Sequence, residues 1–179
     1  MKKYILILCL VVSCFFYGCS GLQSHILDNY KKEYKLASFQ HSELKEIDIE
    51  IKNIPWSYLT ASEASPITSA LYTDLSKRLS TDYSITKGAR HKLLIGYQGS
   101  RGVGSRAGDV LWVLEIEALI YIIDKQNQSI IPLTANSIKV KALDFNSSSR
   151  DFSGCIPHAV NELVDSIVKV LASKYGFSK

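Results

Sequence analysis

Cysteine is scarce where a scaffold would need it. Of four, Cys9, Cys14 and Cys19 crowd the N-terminus, leaving Cys155 alone in the remainder. A disulfide framework and a cysteine-rich metal site are therefore excluded, and Cys155 is expected to be a small buried apolar residue at a helix start. Histidine is equally thin. His25, His41, His91 and His158 lie far apart, and none forms an H-x-x-x-H or H-E-x-x-H pattern, so no metal is expected. Charge of one sign is also lacking. The chain has 21 Lys+Arg against 17 Asp+Glu, and removing residues 1–18 takes away Lys2 and Lys3 but no acid. The near-neutral remainder argues against a nucleic-acid partner. The longest N-terminal apolar run, Tyr4 to Tyr17, falls short of the ~20 residues a membrane-spanning helix needs.

What the N-terminus does have is an export pattern. Lys2 and Lys3 precede the apolar run, and Gly18-Cys19 is followed by polar Ser20-Gly21. A charged start, a short apolar stretch and a small residue before the cut describe a signal peptide. This stretch resembles a bacterial lipoprotein signal, which implies cleavage before Cys19 and acylation of its thiol. Phe16 and Tyr17 depart from the usual aliphatic and small residues at those two places. Val11-Val12-Ser13-Cys14 fits the residue types better, but cutting there would leave Phe15-Phe16-Tyr17 at the new terminus. Both Cys19 and Cys14 stay open, with Cys19 favoured because a polar tether follows it. Multiple acyl chains anchor stably, each buried methylene contributing ~0.8 kcal/mol. Ser20 after the cysteine resembles an outer-membrane sorting signal. The expected organisation is a leader over 1–18, a lipidated tether over 19–44 and one domain over 45–179.

Within that domain, Ile47, Ile49 and Ile51 alternate with Asp48, Glu50 and Lys52, the period-2 pattern of a strand with one wet face. Ser65-Pro66 reads as a helix start, and Ile67, Leu71, Leu75 and Leu79 recur every four residues as a buried stripe. A short strand near Tyr83–Thr86 and another over His91–Gln98 follow. The glycine-rich Gly99–Asp109 reads as a mobile hairpin loop. Val110–Asp124, the most apolar stretch of the domain, reads as one strand long enough to bend or to project beyond its neighbours. Ile130–Leu143 reads as its partner, weakened at Pro132. Asn146–Gly154 reads as a polar loop, and Pro157 opens a helix that Gly176 stops. The resulting expectation is an α+β domain: a mostly antiparallel sheet of four or five strands with two helices on one face. Together with the anchor, this layout is similar to small outer-membrane accessory lipoproteins of the LPS-assembly (LptE-like) and YajG-like kinds. The likeness is one of architecture and implies no site residues.

Catalytic patterns fail on inspection. Gly99 and Gly104 have phosphate-loop spacing, but Ser105-Arg106 stands where Lys and Ser/Thr are required. No helix N-terminus follows to hold a phosphate, so no nucleotide or other cofactor is expected. Ser42–Lys45 and Ser84–Lys87 match S-x-x-K by letter without its partner motifs. Glu115 and Glu117 share a strand face, where a solvated charge patch explains them more simply than paired acid–base work. The functional reading is a non-enzymatic, membrane-anchored envelope lipoprotein that binds or braces a protein partner. Arg101, Arg106 and Asp109 are the candidate contacts, with acidic groups or lipid phosphates as the chemistry the arginines would meet. The alternative is a carrier of an apolar ligand, with a cavity lined by Trp112, Leu114 and Ile116.

Overall fold

The computed structural model describes residues 26–28, 30, 32–38, 44–54, 57–106, 109–145 and 151–176. The candidate lipidation residue Cys19 lies outside them. Seven strands form one mixed sheet: β1 (Lys35–Leu36), β2 (Glu46–Asn53), β3 (Ser84–Ile85), β4 (His91–Arg106), β5 (Asp109–Asp124), β6 (Ser129–Pro132) and β7 (Ile138–Asp144). The spatial order is β1-β6-β5-β4-β2-β3, with β7 also on β5. Two long helices, α1 (Ala61–Leu79) and α2 (Ile156–Tyr175), pack on one face.

The α+β class and the two-helix layer match the sequence reading, but the sheet has more strands and mixed direction. The reason lies in α1. A helix between two strands returns the chain to the end it left, so the next strand enters parallel to the last. Thus β2 runs parallel to both β3 and β4, and only the strands from β4 onward alternate in direction along β5.

α1 begins one turn before Pro66. The carboxylate of Glu63 accepts the N–H and hydroxyl of Thr60 at 2.8 and 2.9 Å, so Thr60-Ala61-Ser62-Glu63 is a capping box that starts the helix. Proline in the second turn costs one backbone bond, which the cap and the buried stripe Ile67, Leu71, Leu75 and Leu79 offset. α2 starts at Ile156 with Pro157 in its first turn and ends at Gly176, whose φ of 72° suits glycine.

The core between helices and sheet joins Ile47, Leu93, Ile95, Ile116, Ile120 and Ile122 to the helix stripes. Tyr97, fully buried, extends this layer under α1 and donates its hydroxyl to the Ala64 carbonyl at 3.0 Å. The opposite sheet face is half covered. Part of the segment read as a tether packs there: Ile26 and Leu27 join Ile54, Leu94, Leu119, Tyr121, Ile123 and Ile130 in a second cluster, with Tyr30 and Tyr34 against it. A β-carbon on Gly96 would fall 2.2 Å from Cδ1 of Ile26, so the missing side chain is what admits that residue. The segment then adds β1 parallel to β6.

The single partner strand read over Ile130–Leu143 is two strands. β6 pairs with Tyr121–Asp124 and β7 with Trp112–Ala118. The five residues Leu133–Ser137 bulge out opposite only Leu119 and Ile120. Leu133 donates its N–H to Ile120 at 2.9 Å and buries its side chain in the core. Pro132, which cannot donate to a ladder, sits at the break.

Candidate functional site

The largest departure from the sequence reading is at Gly99–Arg106, which is strand rather than loop. β4 pairs with β5 without interruption from His91↔Asp124 to Arg106↔Asp109. None of Gly96, Gly99, Gly102 or Gly104 has positive φ. Here glycine is tolerated because the 16-residue partner β5 pairs with the backbone of Gly96, Gly102 and Gly104, while Ser57 and Tyr58 bond that of Gly99. Gly99 also makes room for Leu59, whose Cδ1 would lie 2.4 Å from an added β-carbon.

The neighbours of this hairpin stop before it does. On the β4 side, β2 ends at Asn53↔Tyr97. Ile54 donates its N–H to the Tyr97 carbonyl at 2.9 Å, and Tyr58 donates to the Gly99 carbonyl at 3.0 Å. Ser57 Oγ closes the edge by accepting the Gly99 N–H at 3.0 Å and donating to its carbonyl at the same distance. Backbone groups alternate sides along a strand, so Arg101, Val103 and Ser105 are the next to point outward. Among the described residues no group bonds their outward N–H or C=O. On the β5 side, β7 reaches Trp112. Ser100–Arg106 and Asp109–Leu111 therefore form an arm about 20 Å long at ~3.3 Å per residue.

The arm is partly apolar and partly flat. Val103 is 63% exposed and Val110 44%, both on the face that carries Trp112. On the other face Gly102 and Gly104 lie across from Val113 and Leu111. Below them a groove of about 370 Å³ is floored by the backbone of Gly99 and Ile116, with Gln98, Glu117, Lys139 and Tyr58 at its sides. A second hollow of about 310 Å³ continues it along Ser100, Gly102, Gly104 and Val113. The charges here are mutually paired. Glu115 meets Lys141 at 2.6 Å, and Glu117 accepts from Gln98 at 2.8 Å, from the Ser137 hydroxyl, and lies 3.5 Å from Lys139. Glu115 and Glu117 are thus rungs of a solvated cross-strand ladder, which answers the question of their pairing.

Of the predicted contact residues, Arg101 is engaged within the molecule. Its Nε lies 2.5 Å from Glu63, tying the base of the arm to the start of α1. The N–H of Thr60, then its hydroxyl, hold the Glu63 carboxyl below its usual value, with Arg101 contributing less. Arg106 and Asp109 stand opposite one another at the last register position of the hairpin. The sequence reading named Arg101 but took its segment for a loop, and so missed that Arg101, Val103 and Ser105 share one outward strand edge. The signal was present in the length of Val110–Asp124, since a strand that long implies a partner of equal length.

Two polar clusters elsewhere are structural. Asp124 accepts Arg90 Nε and Nη2 at 3.0 and 2.7 Å, the N–H groups of Gln126 and Asn127, and Asn127 Nδ2. Arg90 foremost holds its carboxyl down to about 2. Beside it, burial pushes the His91 imidazole below its usual value. On the outer face, burial would raise Glu50, but hydrogen bonds from Lys52, Lys92 and Tyr30 outweigh it and hold it at about 2. Cys155 is buried, its thiol pushed up by burial and directed at the Trp112 carbonyl at 3.4 Å. Leu114 and Ile116, which the carrier reading places around a cavity, are packed in the helix-facing core. Both hollows described above lie on the other side of the sheet.

No family model matches the chain, and no curated protein matches it. Among solved structures it is similar to a hypothetical protein from Chlamydia trachomatis at 7% identity and TM-score 0.48, covering 73% of this chain and 99% of that one. It is also similar to a minor lipoprotein from Acinetobacter baumannii at 14% identity and TM-score 0.45, covering 72% and 93%. A third is a lipoprotein from Neisseria meningitidis at 14% identity and TM-score 0.39, covering 70% and 99%. Likeness of this degree says nothing of role.

Proposed function

We propose that this chain is a non-enzymatic envelope lipoprotein, anchored through Cys19 and facing the periplasm from the outer membrane, whose β4–β5 arm receives a strand from a protein partner. One observation carries the contact: the outward edge of β4 at Arg101, Val103 and Ser105 has its backbone unpaired among the described residues, carries neither lysine nor proline, and has its one outward arginine, Arg101, tied back to Glu63. Soluble proteins guard such edges with lysine, proline or a covering element. The free edge of β7 is guarded in that way, since Lys139 and Lys141 alternate along it with side chains 71% and 60% exposed. An unguarded edge beside a guarded one on the same sheet is what strand addition requires.

The anchor and the contact are tested separately. Cys19→Ala is expected to abolish palmitate labelling and membrane fractionation; persistence of both would reject the anchor. Val103→Pro removes one outward N–H while leaving the β4–β5 bonds, which run through the even-numbered residues of β4. It is expected to lower recovery of the partner at least tenfold, and undiminished recovery would reject the edge. Arg101→Glu with Arg106→Glu tests whether charge contributes to the same contact.

A further inference from the structure

We infer that the strand received by this edge is the same edge of a second copy, so that two arms join about a twofold axis through Val103. This rests on the strand-addition reading and names the strand.

The argument is one of register. In an antiparallel pairing centred on Val103, the outward residues face each other as Val103↔Val103, Arg101↔Ser105 and Ser105↔Arg101. Each facing pair exchanges two backbone bonds. Every outward group between the Ser57 closure at Gly99 and the end of β4 is then satisfied. Between them Gly102 falls opposite Gly104, and Ser100 opposite Arg106, so no two arginines face each other.

Neighbouring registers do worse: centring on Gly102 sets Ser105 onto Gly99, which Ser57 and Tyr58 already close, and centring on Gly104 carries Arg101 past Arg106, the last residue of β4. Centring on Arg101 sets arginine against arginine and drives Val103 onto Gly99, whose edge Ser57 and Tyr58 already occupy. Centring on Ser105 carries the pairing past the end of β4. The chosen register also sets Val103, the most exposed apolar side chain of the arm, against its equivalent on the Trp112 face. Such a contact is isologous and closes after two copies.

Two measurements decide the matter. The full-length lipoprotein in detergent is expected to sediment with two chains per particle. Val103→Lys, which puts like charges on the axis at an exposed site, is expected to give one chain per particle with an unchanged melting temperature. Mixing Val103→Lys with Val103→Glu is expected to restore two, a rescue that only pairing across position 103 explains. Wild type at one chain per particle, or Val103→Lys still at two, overturns the inference.

In cells, a photo-crosslinking amino acid at position 103 separates this inference from the reading beneath it. An adduct of two copies supports both. An adduct with a different protein overturns the second copy and leaves the edge as a strand acceptor. Absence of any adduct overturns both.

Discussion

Asp124 shows how much one carboxylate can organise. Its side chain is only 7% exposed and terminates the β5–β6 turn by accepting from Arg90, Asn127 and two backbone N–H groups. Its folded pKa of about 2 stands below the ordinary 3.8. A depressed carboxyl stabilises the fold above its unfolded pKa, and that contribution fades as pH falls from about 4 towards 2. It amounts to about 2 kcal/mol at neutral pH. Asp124→Asn should therefore lower the melting temperature at pH 7, and the gap to wild type should shrink towards pH 2. A gap that stays constant across the titration would show that the charge is not the cause. Tyr97 offers a second case. Its hydroxyl bridges the Ala64 carbonyl and Thr68 at 3.0 and 2.8 Å, and Tyr97→Phe should cost about 1 kcal/mol in urea denaturation. Neither role was visible in the sequence. A buried aspartate at a strand end and a tyrosine in an apolar alternation look ordinary until the turn and the overlying helix are in place.

Among the elements, the N-terminal segment is held by a few identifiable contacts. Ile26 sits on Gly96, and Tyr30 donates to Glu50 at 3.0 Å and accepts from Lys52 at 2.8 Å. Gly96→Val should displace Ile26 while leaving the sheet paired, detected as faster proteolysis within 26–38 at an almost unchanged melting temperature. Glu50 is held at about 2 against an ordinary 4.5, so its grip on the same segment should fade as pH falls from about 4.5 towards 2; hydrogen exchange at residues 32–36 would report it. α1 is held differently, and Thr60→Ala should destabilise it by about 1 kcal/mol through loss of the cap. The elements themselves were readable where periodicity was strong. The α1 and α2 stripes, β2 and β5 follow directly from spacing. The reading failed where composition and context disagreed. Glycine suggested loop at 99–106, but the paired strand decided the conformation. Pro66 suggested a helix start, but the capping box one turn earlier set it. Ile26, Leu27, Tyr30 and Tyr34 fall near helical spacing, yet only the sheet beneath shows which surface they cover.

For the molecule as a whole, the anchor and the arm set a geometry. Only residues 20–25 separate Cys19 from Ile26, a reach of about 20–25 Å when fully extended. If Cys19 carries the acyl chains, Ile26 on Gly96 is held within that reach of the bilayer, and the arm begins four residues further along β4. Inserting some twenty flexible residues after Ser24 should leave membrane fractionation intact and reduce in-cell crosslinking from position 103, since the arm would no longer be presented at a fixed height. Equal crosslinking would indicate that height is irrelevant.

Because β4 and β5 run unbroken from the tip into the buried centre, a pull on the tip is not absorbed by a hinge. The load passes straight down both strands and must slide them past β2 and β7, where ladders break together rather than one bond at a time. A chain built in this way resembles a spar set in a socket, its tip joined to the body by two continuous strands.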